Sequence, residues 1–283
     1  MKIAIIGGSG LYEFDGIEDL KETKVSTPFG ETSAPLITGR LHGREVMFLA
    51  RHGKGHRLLP TEIPYKANIW AIKKLGATHL ISISAVGSLK QEIAPGHMVF
   101  PDQFIDRTRL RDSTFFGQGI VAHVQFGDPV CPHVLDVLAR SGREAGAVCH
   151  SGETYVCMEG PAFSTRAESN LYRAWGGGVI GMTNLQEAKL AREAELCFGT
   201  IALATDYDCW HESNEEVSIE GVLAVMRSNI QTAKKILAVA VKHLDPSRPC
   251  TCKTALKYAI VTDRAEIPQK TREDLEPLIG QYL

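Results

Sequence analysis

The chain has 283 residues, 44% hydrophobic and 23% charged, the balance of an ordinary globular domain. Its formal net charge of −2 gives no bulk electrostatic reason to bind nucleic acid or a membrane. No window approaches the roughly 18 apolar residues of a spanning helix, and the opening MKIAIIGGSG is too short for a signal peptide, so a cytoplasmic location is expected.

Lys2–Ile6 reads as a β-strand running into the loop Gly7-Gly8-Ser9-Gly10. Val46–Ala50 is a second strand, followed at once by Arg51-His52-Gly53. Apolar residues at helical spacing predict a helix over Tyr65–Leu75, with Gly76 as its stop. His79–Ser84 is a strand leading into a small-residue loop, Ala85-Val86-Gly87-Ser88, and Met98–Phe104 is another strand. A helix is expected over Val134–Ala145, a strand over Thr154–Met158 and a helix from about Ser164 to Trp175. Val179–Met182, Ala188–Glu195 and Cys197–Ala204 alternate strand, helix and strand. Ile219–Leu244 is the longest amphipathic helix, stopped by Asp245-Pro246. Strands interleaved with helices imply an α/β domain with a mixed, mostly parallel β-sheet covered by helices. Residues 1–245 form its body. Residues 246–283 are a linker, then a short strand at Lys257–Thr262 and a helix at Thr271–Ile279, packed on the same domain.

Two acids, Asp206 and Asp208, stand one residue apart at the end of the apolar run Ile201–Ala204. Alternation along a strand puts both on one face. Two carboxylates there are costly to bury without a partner or a task. Other groups suited to anions also fall at strand ends. The GGSG loop does not complete GxGxxG, since Ser9 and Tyr12 stand where glycines are needed, counting from Gly7. It remains either an anion loop, with backbone N–H groups and the Ser9 hydroxyl, or a plain turn. Arg51 offers a planar fork to phosphate, and His52 beside it can bond a phosphate oxygen or a ribose hydroxyl. The small residues Ser84, Ala85 and Gly87 admit a ligand close to backbone amides. Thr183, at a strand-to-helix junction, is either a further donor or an N-cap.

Seven cysteines are scattered, and no CxxC pair or His-rich spacing suggests zinc, so no metal is expected and most should be reduced core thiols. Cys250-Thr251-Cys252 stands apart as either a strained redox pair or two exposed thiols.

The segments RHG, NIWA, MEGPAFSTRAES, MT-N-x-x-EAKLAREA and ATDYDCW together resemble the trimeric purine nucleoside phosphorylase superfamily, closest to its 5′-methylthioadenosine phosphorylase family. The likeness runs from Lys2 to about Leu244. It implies that Ser9, Arg51, His52, Ala85 and Thr183 surround inorganic phosphate, a co-substrate, with no cofactor. Ser84, Gly87, Met182 and Phe163 would contact ribose and base, with Phe163 stacking on the purine. Asp206 would protonate N7 of the leaving base, and Asp208 would help recognise its 6-amino group. Ile219, Val222 and Leu223 would line an apolar 5′-group pocket, completed by His123 from a neighbouring subunit of a homotrimer or a dimer of trimers. The implied reaction is phosphorolysis of 5′-methylthioadenosine. The alternatives are another purine nucleoside phosphorylase acting on methylthioinosine, adenosine or inosine, a water-using nucleosidase, or a non-catalytic nucleoside-binding protein.

Overall fold

The computed structural model describes residues 1–8, 16–211 and 219–283, and side chains of the last segment from residue 224. Ser9 and the side chains of Ile219, Val222 and Leu223 therefore lie outside the described residues.

The centre of the fold is β1 (Lys2–Gly7), whose run KIAIIG is apolar on both faces. It pairs in parallel with β4 (Arg44–Ala50) on one side and β5 (Ala77–Ser88) on the other. Both faces of such a strand must be covered. Ala4 and Ile6 point into a core with α1 (Tyr65–Lys74) and α4 (Leu185–Glu193). Ile3 and Ile5 point into a second core with α2 (Pro132–Glu144) and α5 (Ile219–His243).

Beyond β5 the sheet continues through β8 (Val179–Gly181), β7 (Cys149–Met158), β6 (Met98–Arg107) and β9 (Cys197–Tyr207), and β9 pairs back onto β5. These five strands form a closed ring, so none of them ends in a free edge. Of the nine strand pairings among the described residues, five are parallel and four antiparallel. The fold is a single mixed-sheet α/β domain.

On the far side, β2 (Ile17–Thr23) and β3 (Leu36–Leu41) add an antiparallel edge that the sequence reading did not identify. The segment IEDLKET is almost wholly exposed, so it carries no hydrophobic alternation, and its charges suit an outer strand. Arg44 on β4 donates to the carbonyls of Lys242 and Leu244, groups that the end of α5 leaves without helical partners. The helix α3 (Arg166–Ala174) opens on a capping box between Thr165 and Glu168.

The C-terminal residues depart from expectation in detail. Lys257–Thr262 is not a strand; it makes one isolated bridge, Ala122 to Ile260. The expected terminal helix is two short ones, α6 (Gln269–Asp274) and α7 (Glu276–Ile279), separated at Leu275 ahead of Pro277. Leu256, Ile267, Leu275, Leu278 and Ile279 are buried in the core that holds α1 and α4. Buried Glu195 accepts hydrogen bonds from the Leu256 N–H, the Gln281 amide and the Tyr282 hydroxyl, fixing three points of the tail.

Candidate active site

The strands β1, β4, β5 and β9 run parallel, so their C-terminal ends open on one side of the sheet. Crevices beyond such ends are where open α/β sheets bind ligands. A cavity of about 540 Å³ lies there, bordered by Gly8, Arg51, His52, Ser84, Ala85, Gly87, Phe163, Met182, Thr183, Asp206 and Asp208. The structure thus brings together most of the residues singled out from sequence.

One correction concerns the β5 end. Ala85–Ser88 is not a loop; β5 continues to Ser88. Its pairing with β9 slips at Val86/Gly87, so that Gly87 sits opposite Asp206 and Thr205 is the extra residue of a bulge. A bulge re-aims side chains at the end of a strand. A Cβ on Gly87 would meet Asp206 Oδ1 at 3.1 Å and Asp208 Cβ at 3.5 Å, so glycine leaves both acids their places.

Burial pushes the Asp206 carboxyl above its ordinary range, the Thr205 hydroxyl bond opposes that, and the Asp208 charge adds to the rise. That hydroxyl donates to Asp206 Oδ2 at 2.7 Å. Asp208 is 8% exposed, and its Oδ2 is buried without a hydrogen-bond partner among the described residues. An orphaned buried carboxylate oxygen is an acceptor awaiting a donor. Tyr207 between them turns away, its hydroxyl bonded to the Gln91 carbonyl.

Arg51 is 2% exposed and held on three sides. Its Nε and Nη2 meet Glu187 at 2.5 and 3.0 Å, Nη2 also donates to Ser82 Oγ at 2.7 Å, and Nη1 donates to the Ile83 carbonyl at 2.9 Å. Of the five guanidinium N–H groups, one on Nη1 is not used by these bonds. Ser82 Oγ donates to Glu187 and accepts from Asn184, whose carbonyl oxygen accepts from Thr200. Glu187, Ser82 and Asn184 were not singled out from sequence. Asn184 and Glu187 are fixed letters of the motif MT-N-x-x-EAKLAREA, but an acid in the first turn of α4 ordinarily reads as a surface partner of the helix dipole.

His52 Nδ1 lies 2.9 Å from the Leu58 carbonyl and must carry the proton there. Burial drives its pKa down to about 4, against the lift from that hydrogen bond. At neutral pH its Nε2 is therefore an acceptor. It fits a ribose hydroxyl or the P–OH of monohydrogen phosphate. The hydroxyls of Ser84, Tyr155 and Thr183 converge, with Ser84 Oγ 3.1 Å from Tyr155 and 3.4 Å from Thr183. Thr183 is not the N-cap of α4; Asn184 holds that position with φ of 102°.

Phe163 stands at the rim, 84% exposed. Met226 and Ile230 of α5 also border the cavity. They continue at helical spacing the stripe Ile219, Val222 and Leu223, and the same periodicity could have found them. His123 does not border this cavity; it is exposed, and its N–H donates to the Ala259 carbonyl.

The sequence pattern described as the phosphorylase superfamily matches residues 2–242. The chain belongs to that superfamily and, within it, to the 5′-methylthioadenosine phosphorylase family. It is 58% identical to S-methyl-5′-thioadenosine phosphorylase of Geobacter sulfurreducens, over 99% of each chain. A methylthioadenosine phosphorylase from an Antarctic soil metagenomic library superposes with a TM-score of 0.94 at 47% identity, covering 98% of both chains. Methylthioadenosine phosphorylase from Schistosoma mansoni in complex with adenine has a TM-score of 0.79 and 35% identity, covering 86% of this chain and 91% of its own. Among the described residues, no helix is long and apolar enough to cross a membrane.

Proposed function

We propose that this chain is a pentosyltransferase that cleaves 5′-methylthioadenosine with inorganic phosphate, giving adenine and 5-methylthioribose 1-phosphate. The observation that carries the reading is the acid pair. Asp206, pushed toward its protonated form, borders the same cavity as an acceptor oxygen of Asp208 that lacks a partner among the described residues. Phosphate attacks C1′ as the bond to N9 breaks, and the developing oxocarbenium charge is stabilised by the phosphate dianion. Asp206 protonates N7 of the departing adenine. The free Oδ2 of Asp208 accepts from the 6-amino group. A 6-oxopurine would present a second acceptor there, so the pair favours a 6-aminopurine.

Arg51, Thr183, the Ala85 backbone and Ser9 form the phosphate side in this reading, with Ser84, Met182 and Gly87 toward ribose and Phe163 over the base. His52 accepts from a hydroxyl of ribose or phosphate. Phosphate is a co-substrate, and no cofactor takes part. His123 reaches the 5′ end of the substrate from a neighbouring subunit of a homotrimer, alone or doubled. Val121, Tyr258 and Val261 support such an interface. They lie in the two segments bridged by Ala122 and Ile260, and are 49%, 88% and 67% exposed in the single chain. The body with its packed C-terminal extension works in the cytoplasm.

The test is release of free base from methylthioadenosine, methylthioinosine, adenosine and inosine, each with and without phosphate. Methylthioadenosine turnover that depends on phosphate is expected. Equal turnover without phosphate would mean a nucleosidase, and no turnover of any of the four would mean a binding protein.

The apolar wall makes its own prediction. Ile230→Asn should shift the ratio of kcat/KM for methylthioadenosine over adenosine towards adenosine by about 10–200-fold, the range for a hydrophobic-pocket contact. A ratio that does not move in a folded variant would mean that this stripe of α5 does not meet the 5′ group.

A further inference from the structure

Four of the seven cysteines, distant in sequence, meet in one place. Cys131 is the residue before α2, Cys197 opens β9, and Cys250 and Cys252 belong to the segment that follows α5. Their sulfurs all lie within 4.8 Å of one another. Cys131 Sγ is 3.5 Å and Cys197 Sγ 3.6 Å from Cys250 Sγ. Cys131, Cys197 and Cys252 are at most 2% exposed, while Cys250 is half-buried.

These separations have a chemical meaning. Sulfurs bound to zinc at about 2.3 Å in a tetrahedron stand about 3.8 Å apart. A disulfide would hold two of them at about 2.0 Å. Four sulfurs, mutually separated by no more than 4.8 Å with two pairs at 3.5–3.6 Å, fit the tetrahedron with small movements.

We propose that Cys131, Cys197, Cys250 and Cys252 form a four-thiolate site for a divalent ion of the zinc class, which ties the C-terminal segment to the body of the fold. Binding exchanges protons for metal: one M²⁺ and four thiols give a tetrathiolate complex of charge −2 and release four protons. The surroundings favour that charge. Cys131 stands at the N-terminus of the 13-residue helix α2, where the helix dipole favours an anion.

The expectation of no metal rested on spacing within the sequence. CxC is too short to announce a zinc site, and its two further ligands come from residues 119 and 53 positions earlier than Cys250. The site is structural. Cys197 and Asp206 occupy opposite ends of β9, nine residues and about 30 Å apart at the rise of a strand.

The experiment uses the full chain, purified under reducing conditions without chelator and then equilibrated with Zn²⁺ and desalted. Elemental analysis should find about one zinc per chain, the stoichiometry of a single four-thiolate centre. The double variant Cys250→Ser, Cys252→Ser should lose at least about tenfold of that zinc, while Cys209→Ser, outside the cluster, keeps it. Exchange of Co²⁺ into the wild-type chain should give sulfur-to-cobalt charge-transfer absorption, which needs no variant to fold. The proposal is overturned if the reduced, zinc-supplemented chain holds no zinc. It is equally overturned if intact mass and peptide mapping show the four cysteines closed as two disulfides under those conditions.

Discussion

Asp206→Asn should lower kcat/KM for methylthioadenosine by roughly 10²–10⁴-fold, the range for loss of a general acid. Asparagine keeps the shape of the side chain and can still accept the Thr205 hydroxyl that now bonds Asp206 Oδ2. It has no acidic proton for N7. The pH profile supplies a second readout. The folded pKa of Asp206 is raised by burial, so the protonated form persists above the ordinary carboxylate range and is lost as pH rises through the raised value. The wild type should therefore lose activity on its alkaline side, and the variant should lack that limb. Wild-type rates from Asp206→Asn would move the proton donor elsewhere in the cavity.

Glu187→Ala should lower folding stability by about 3–5 kcal/mol, because it leaves the Arg51 guanidinium buried without its counter-charge. The two side chains are 3% and 2% exposed, so solvent cannot take over the role of either. The remaining partners of Arg51 are the Ser82 hydroxyl and the Ile83 carbonyl, neither of which carries charge. The same variant should raise the KM for phosphate more than the KM for nucleoside, since a guanidinium freed from Glu187 no longer presents its unused N–H in one direction. Denaturant titration and phosphate titration at saturating nucleoside measure the two effects. Arg51→Ala should also weaken phosphate binding. Combining the two variants should cost less than the sum of the singles, because no unpaired charge then remains. An unchanged denaturation midpoint for Glu187→Ala would show that the pair is not buried in solution.

Most of what the sequence made legible was periodic or punctuated. KIAIIG, the buried runs of β4 and β9 and the stripe of α5 announce themselves by apolar spacing, and their ends by Gly, Pro or charge. Asp206 and Asp208 stood out because acids at the end of an apolar strand break the pattern. The edge hairpin of β2 and β3 was invisible because its exposed residues have no face to bury. The loop expected at Ala85–Ser88 is strand, because β8 and β9 supply pairing partners that no local signal reveals. Glu187, Ser82 and Asn184 were missed for a related reason. Each is an ordinary polar residue until the fold brings Glu187 and Ser82, 136 and 31 residues away in sequence, onto Arg51, and Asn184 onto Ser82. The cysteine cluster is the extreme case, with four sulfurs assembled from segments that share no motif.

The packing of the last residues sets an order of events during synthesis. Leu275, Leu278 and Ile279 complete the core around α1 and α4, and Gln281 and Tyr282 close on Glu195. Those residues leave the ribosome long after α1 and α4. Until they do, the part of the α1 and α4 core that Leu275, Leu278 and Ile279 close stays open, although both helices were made long before. A nascent chain of this protein therefore waits, half-finished, with sticky surface showing, and a stop codon ahead of residue 275 would leave it in that condition for good.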